Sequence, residues 1–323
     1  MRNDQLSPLP VAVPPNDDES GLSYVMRALH ANGLSLDRVQ EWLGIKSWFS
    51  LNRQEISLVA WHLGVSPDWL RWRLLIAKSS GSLVSFHLLG CKFVATSLRQ
   101  TSIAALCPEC VRSNGFSRPS WLLKCVVVCS EHGYLISEDC VKCRRPISWL
   151  RPGMDVCTCG RYLIRASGQH VANDQLLCWV RWIEWRLGIY NGAEGARFAK
   201  LIPNVLNAMS LDGAMRLVIA FGILDGPLQS VGVATWRRLN NQGVIDVIKR
   251  GLSRLHQIGD SLESLGDIDS LVHLPILERM RSDGVETIDV QNASQLVTTL
   301  KKTPSGTWDR RVKLTDGQLS LFW

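Results

Sequence analysis

Cys107-Pro-Glu-Cys110, Cys129-Ser-Glu-His132, Cys140-Val-Lys-Cys143 and Cys157-Thr-Cys159-Gly160 all fall within residues 107–160. Each is a pair of soft donors separated by one or two residues, the spacing at which a tight turn aims both at one ion. Zinc takes four such donors in a tetrahedron, so two pairs close one site. Seven cysteines and one histidine therefore supply two sites. Taken in chain order, Cys107, Cys110, Cys129 and His132 form the first, and Cys140, Cys143, Cys157 and Cys159 the second. Spacing alone leaves an interleaved pairing as the runner-up.

Four protein donors leave no position for water, so the expected role of both Zn2+ ions is structural. The stretches between ligands read as too poor in apolar residues for a core of their own, so metal binding is expected to supply folding energy to this block. Cys125, in the apolar run Cys125-Val-Val-Val-Cys129, reads as core, because a free thiol packs like a small hydrophobe. A disulfide framework would need an oxidising compartment, to which nothing in the chain points.

The order Cys-Pro-x-Cys, Trp121, Cys-x2-His-Gly, Cys-x2-Cys and Cys-x-Cys-Gly resembles the TniQ/TnsD family, target-selection proteins of Tns-type and CRISPR-associated transposons. Leu106–Cys110, Trp121, Cys129–Gly133, Cys140–Cys143 and Cys157–Gly160 carry the likeness. The proline-rich start followed by Glu19-Ser20 and an apolar helix also resembles the TniQ amino terminus. The resemblance reaches to about residue 165. It implies a non-catalytic adaptor that recruits a AAA+ transposition ATPase of the TnsC/TniB kind to target DNA. Some members are implied to bind an RNA-guided CRISPR Cascade with its guide RNA, often as a head-to-tail homodimer; others read a DNA site directly. A zinc and helix-turn-helix transcriptional regulator and a metalloenzyme with an open zinc position are the readings from other classes.

Working outward, charge is uneven. The net charge is +7. Residues 91–165 hold eleven Lys/Arg against five Asp/Glu, whereas residues 1–90 balance at eight each. An excess of this kind reads as a nucleic-acid footprint. Zinc with three thiolates and a neutral histidine carries −1, and with four thiolates −2, which halves the block's excess from six to three.

Before the block, Pro8, Pro10, Pro14 and Pro15 predict a flexible extended arm over residues 1–18. Leu22, Val25, Met26 and Leu29 recur at helical spacing, and Gly33 stops that helix. Ser35 caps a second helix to Leu43. Asn52–Leu63, Gly64-Val65 and a helix from Ser66-Pro67 to Ile76 form a helix-turn-helix pattern. Arg71 faces outward on the second helix, which would be the reading helix, while Trp61, Trp69 and Trp72 suit a core. Ser79, Ser80, Gly81 and Ser82 mark residues 79–90 as a linker. Lys142, Arg144 and Arg145, in and after the third knuckle, are candidate phosphate contacts, or a solvated turn.

After Arg165 the chain reads helical. Leu176, Val180, Ile183 and Leu187 form one stripe beside Trp179, Trp182 and Trp185. Leu211–Leu224 and Val244–Leu255 are amphipathic, and Leu262–Met280 reads as a helical region interrupted near Pro275. Trp308, Phe322 and Trp323 make an aromatic tail. No apolar run spans a bilayer and no secretory leader is expected, so the expected location is cytoplasmic. There is no Walker phosphate loop and no triad. The histidines His30, His62, His87, His170, His256 and His273 read as surface or satisfied core. The expected fold is mostly α: an arm (1–18), a helix-turn-helix-containing domain (19–78), a double zinc block (79–165) and a helical domain (166–323).

Overall fold

A computed structural model of the chain describes residues 7–80, 83–163, 170–171, 173–190, 192–226, 233–259, 262 and 265–302. Among these it forms thirteen α-helices and one small sheet, in two compact units, residues 1–195 and 196–323. No helix among the described residues is long and apolar enough to cross a membrane. The aromatic tail lies outside the described residues.

In the first unit, α1 (Gly21–Ala31) starts where the Ser20 hydroxyl accepts from the Ser23 N–H, and buries Leu22, Val25, Met26 and Leu29. α2 (Leu36–Trp42) follows; Ser35 occupies the cap position, but its hydroxyl bonds Asp37 rather than the helix backbone. α3 (Arg53–Leu63) opens with a capping box. Asn52 Oδ1 accepts from Gln54 and Glu55 N–H at 2.9 and 3.0 Å, and Glu55 accepts from Asn52 N–H at 2.7 Å. Gly64 ends α3 in the left-handed conformation at φ 69°. Ser66 and Pro67 then open α4 (Pro67–Arg73), which packs on α3 and α1.

Residues 7–18 run extended along these helices. Leu9 N–H donates to His62 O at 2.8 Å, Val11 exchanges two 2.9 Å hydrogen bonds with the Asn32 amide, and Tyr24 donates to Val13 O. Prolines remove backbone donors, so side chains of α1 supply much of the pairing.

Three expectations are corrected here. α4 stops at Arg73, and Ile76 lies in a strand. Residues 79–90 are not a linker: β1 (Ile76–Ser80), β2 (Leu83–Leu88) and β3 (Cys91–Val94) form an antiparallel sheet in the order β1-β2-β3. Ser79 and Ser80, read as linker, end β1, and Leu83, Val84 and Phe86 supply β propensity on the return strand. Trp61 and Trp72, read as core, are 47% and 57% exposed.

α5 (Pro108–Asn114) begins inside the ligand block, and most of the block is otherwise irregular chain joined by isolated bridges such as Leu106↔Ser137. The block does have a core: Trp121, Leu123, Cys125 to Val128, Ile136 and Ile147 are all buried. That corrects the expectation of an apolar-poor segment, and each such side chain contributes about 1.5–3 kcal/mol by burial. α6 (Asp174–Arg186) belongs with it. Trp179 Nε1 donates to Cys125 O at 3.3 Å, Arg181 donates to Ser130 O at 3.2 Å, and Ser120 donates to Glu184 at 2.7 Å. The first compact unit runs to Gly195 and so includes α6.

In the second unit α8 (Asn204–Ala208) leads to α9 (Leu211–Gly222), which is buried along its whole length. α9 packs against α11 (Asn241–Ile258) and α12 (Leu274–Asp283), and α12 packs against α13 (Thr287–Lys302). α7 (Gly192–Ala199) bridges the unit boundary in sequence, and α10 (Val233–Arg238) precedes α11. Pro275 sits in the first turn of α12 and starts that helix rather than interrupting one. Asp289 anchors α9 by accepting from Ser210 N–H at 2.9 Å and Ser210 Oγ at 2.6 Å.

The α9–α11 crossing depends on glycine. A Cβ on Gly222 would run into Val247 O, and one on Gly251 into Val218 O. Rigid backbone stands on both sides, so the helices must separate to admit a methyl group. Gly251→Ala should destabilise the second unit by about 1–3 kcal/mol, read by chemical denaturation. Gly192→Ala, where a Cβ meets nothing within 4 Å, should be neutral. Equal effects from the two would refute the tight crossing.

Candidate metal centres

Each knuckle is closed by a backbone hydrogen bond that turns its two donors toward one point. Val111 N–H donates to Cys107 O at 3.1 Å, Gly133 to Cys129 O at 2.9 Å, Arg144 to Cys140 O at 2.8 Å, and Gly160 to Cys157 O at 2.8 Å. The first knuckle achieves this by opening α5, with Pro108 in its first turn. The other three finish with a left-handed residue after the second donor: Gly133 at φ 66°, Arg144 at φ 57° and Gly160 at φ 77°. This explains the glycine after His132 and after Cys159, since that conformation suits glycine best.

The donors meet in two groups, Cys107, Cys110, Cys129 and His132, and Cys140, Cys143, Cys157 and Cys159, with the ligand atoms of each group within 4.8 Å of one another. In the first, Cys110 Sγ lies 3.5 Å from Cys129 Sγ and 3.2 Å from His132 Nδ1, and Nδ1 lies 3.6 Å from Cys129 Sγ and 3.8 Å from Cys107 Sγ. In the second, Cys140 and Cys159 sulfurs are 3.8 Å apart, and those of Cys143 and Cys157 3.9 Å. A tetrahedron with Zn–S and Zn–N bonds of usual length has edges of about 3.8 Å between sulfurs and about 3.6 Å between sulfur and nitrogen. The spacing fits that ion and is far too long for disulfides, for which sulfurs approach to about 2.05 Å. The grouping follows chain order and is not interleaved. Cys125 is buried and belongs to neither group.

Around the first group lies a network that sequence reasoning missed. Arg118, 2% exposed, pairs with Glu131 and with Asp18 at 3.2 Å. Glu131 Oε2 is 3.7 Å from Cys110 Sγ. Burial opposes the charge on Arg118, but Glu184, Glu131 and Asp18 outweigh it and hold the guanidinium above its ordinary pKa. Burial raises the Glu184 carboxyl, against the hydrogen bond from Ser120 and the charge of Arg118. Glu131 sits within a knuckle and was open to notice; Arg118 carries no local signal.

The basic excess of this block is partly interior. Arg99, Arg118, Lys124 and Arg151 are all buried. Arg99 donates to Trp121 O and Val126 O and pairs with Glu138, stitching the region between the two groups. Burial lowers Arg99 to about 10 and, helped by Arg99, lowers Lys124 to about 8. These four cations hold the block together from within, so the charge count overstates its surface footprint. Lys142, Arg144 and Arg145 are exposed on the third knuckle, while Arg71 is exposed on α4, away from that turn in the chain. Arg145 is engaged with a sulfur: first its N–H and then its side chain draw the Cys143 thiol down to about 6.

Residues 10–136 match the family model TniQ. The match spans α1 to α5 and the first donor group, and the second group lies beyond it. No curated protein matches the chain.

Elemental analysis of the folded chain should return two zinc ions. Cys110→Ser and Cys143→Ser should each release one ion and unfold the block, because a structural zinc contributes on the order of 10 kcal/mol. Cys125→Ser should keep both ions. Zinc loss from Cys125→Ser alone would show that the ligand set is wrong.

Proposed function

We propose that this chain, a member of the TniQ family through residues 10–136, is a non-catalytic adaptor that links a target-DNA-bound complex to a AAA+ transposition ATPase. Family membership assigns it to transposition-associated target selection, and that match is the observation that carries the reading. The ATPase of the TnsC/TniB kind, the target-bearing complex and a homodimeric arrangement are the finer content of the proposal. Two structural Zn2+ ions, held by Cys107, Cys110, Cys129 and His132 and by Cys140, Cys143, Cys157 and Cys159, would staple the middle of the chain.

Chemistry supports a structural role. Each donor group offers four protein ligands, leaving a bound ion no open position for a water nucleophile. The sequence holds no Walker loop, so energy for assembly comes from a partner.

The aromatic surface around Trp61 supports a protein partner, whereas the Trp179 region does not. Trp179 and Trp182 stack on each other at 5.2 Å and are fully buried, so they belong to the core. Trp42 and Trp61 are exposed and flank the buried His62 ring at 5.7 and 4.9 Å. Rigid, solvent-facing indoles are the anchors that protein interfaces concentrate.

A direct reader of DNA is the second reading, favoured by the α3–Gly64–α4 pair and the outward Arg71. It ranks lower because α4 exposes Trp72 and carries no Asn or Gln for base edges.

A reconstituted transposition assay tests the function. Omitting the chain should abolish targeted insertion, and adding it should bring the ATPase to target DNA. Recruitment that requires an RNA-guided CRISPR Cascade with its guide RNA identifies the complex as the target bearer. Recruitment to naked DNA at one sequence identifies a direct reader. Targeted insertion without the chain, or ATP hydrolysis by the chain itself, would sink the adaptor reading.

A further inference from the structure

The sheet gathers cations that the chain keeps apart. Antiparallel pairing sets His87 opposite Ile76 on one side and Lys92 on the other, and Lys78 opposite Ser85. Side chains alternate along a strand, so Lys78, Ser85, His87 and Lys92 share one face. Phe93 takes the other and is buried.

α4, which carries Arg71, is fixed to the sheet. Leu89 N–H donates to Trp72 O at 2.9 Å. The Trp72 ring lies over Gly90, where a Cβ would come within 2.6 Å of its Cη2. Burial lowers the His87 imidazole first, and Lys78, Lys92 and Arg71 each lower it further. Register puts Lys78 and Lys92 on the His87 face, and Arg71, on the helix fixed to this sheet, acts on the same ring. All three are exposed, and none forms an ion pair among the described residues. Asp68, the one carboxylate of α4, stands in its first turn, whereas Arg71 stands in its last.

Three like charges fixed on a rigid platform without a counter-charge create a local positive potential that draws polyanions. We propose that Arg71, Lys78 and Lys92 form a contact surface for the phosphate backbone of duplex DNA. The proposal deepens the adaptor reading, and rests on it in taking target DNA as the polyanion. The platform favours backbone over bases. Trp72 is its exposed aromatic, and one ring packed against a turn makes no stacking platform for unpaired bases. Phosphate contacts of this kind position a protein on DNA without reading sequence.

The test is the salt dependence of duplex binding by the full-length chain, followed by fluorescence anisotropy on a mixed-sequence duplex. Each phosphate contact contributes about 0.9 to the slope of log K against log salt. Lys78→Gln, Lys92→Gln and Arg71→Gln should each lower the slope by about 0.9, and the triple variant by about 2.7. Lys78→Arg, which keeps the charge, should retain it. The triple variant Lys142→Gln, Arg144→Gln, Arg145→Gln should keep the share carried by the sheet and α4. Circular dichroism and zinc content establish that each variant is folded.

An unchanged slope in the Arg71, Lys78 and Lys92 triple variant overturns the proposal, as does absence of duplex binding by the wild type. Tighter binding to single-stranded DNA or to an RNA hairpin than to the duplex overturns the assignment to duplex DNA. ATPase recruitment is measured separately. If it fails while duplex binding depends on these residues, the adaptor reading falls and the contact surface stands.

Discussion

The centre of the first unit depends on bringing four soft donors to one point, twice, within residues 107–160. Sulfurs at 3.5–3.9 Å cannot all carry charge without a cation between them. The backbone accepts this crowding at specific cost. Three knuckles end in a left-handed residue, and one of these is Arg144, which lacks the freedom of glycine. The remaining irregular chain of the block is organised around these closures, with isolated bridges in place of long ladders.

Buried arginines make the second layer of support. Arg118 connects Asp18, just before α1, to Glu131, inside a knuckle. Arg99 and Arg151 donate to backbone carbonyls that irregular chain leaves without helix or sheet partners. A guanidinium presents several donors in a fixed plane, so one residue satisfies several acceptors at once. The desolvation involved is offset only because these partners are present. The same charge count that first reads as a nucleic-acid surface is thus divided between interior struts and a smaller outward set.

The second unit is stabilised differently. Its centre is α9, buried throughout and covered by neighbouring helices. Two glycines bring α9 and α11 close, and Asp289 and Arg216 satisfy polar groups buried beside them. Packing here replaces the chelation used in the first unit. The family match stops at residue 136, well short of this unit.

Chelating spacing, cap residues and helical periodicity are local properties, and each was legible in the chain. The eight donors, the helix starts near Ser20 and Asn52, the cap at Ser66 and the turn at Gly64 needed only a few neighbouring residues to be recognised. What depends on distant contacts was decided by tertiary structure. The chain cannot say which pairs of knuckles share a point, because closure is local and pairing is not. Ser79 to Ser82 read as a linker because turn residues look alike whether or not strands flank them. Trp179 and Trp182 became core, and Trp61 and Trp72 surface, because exposure depends on which helix face finds a neighbour. Arg118 and the grouping of Arg71, Lys78 and Lys92 join residues on different elements. No periodicity encodes such a meeting; it follows only once the helices and strands are packed.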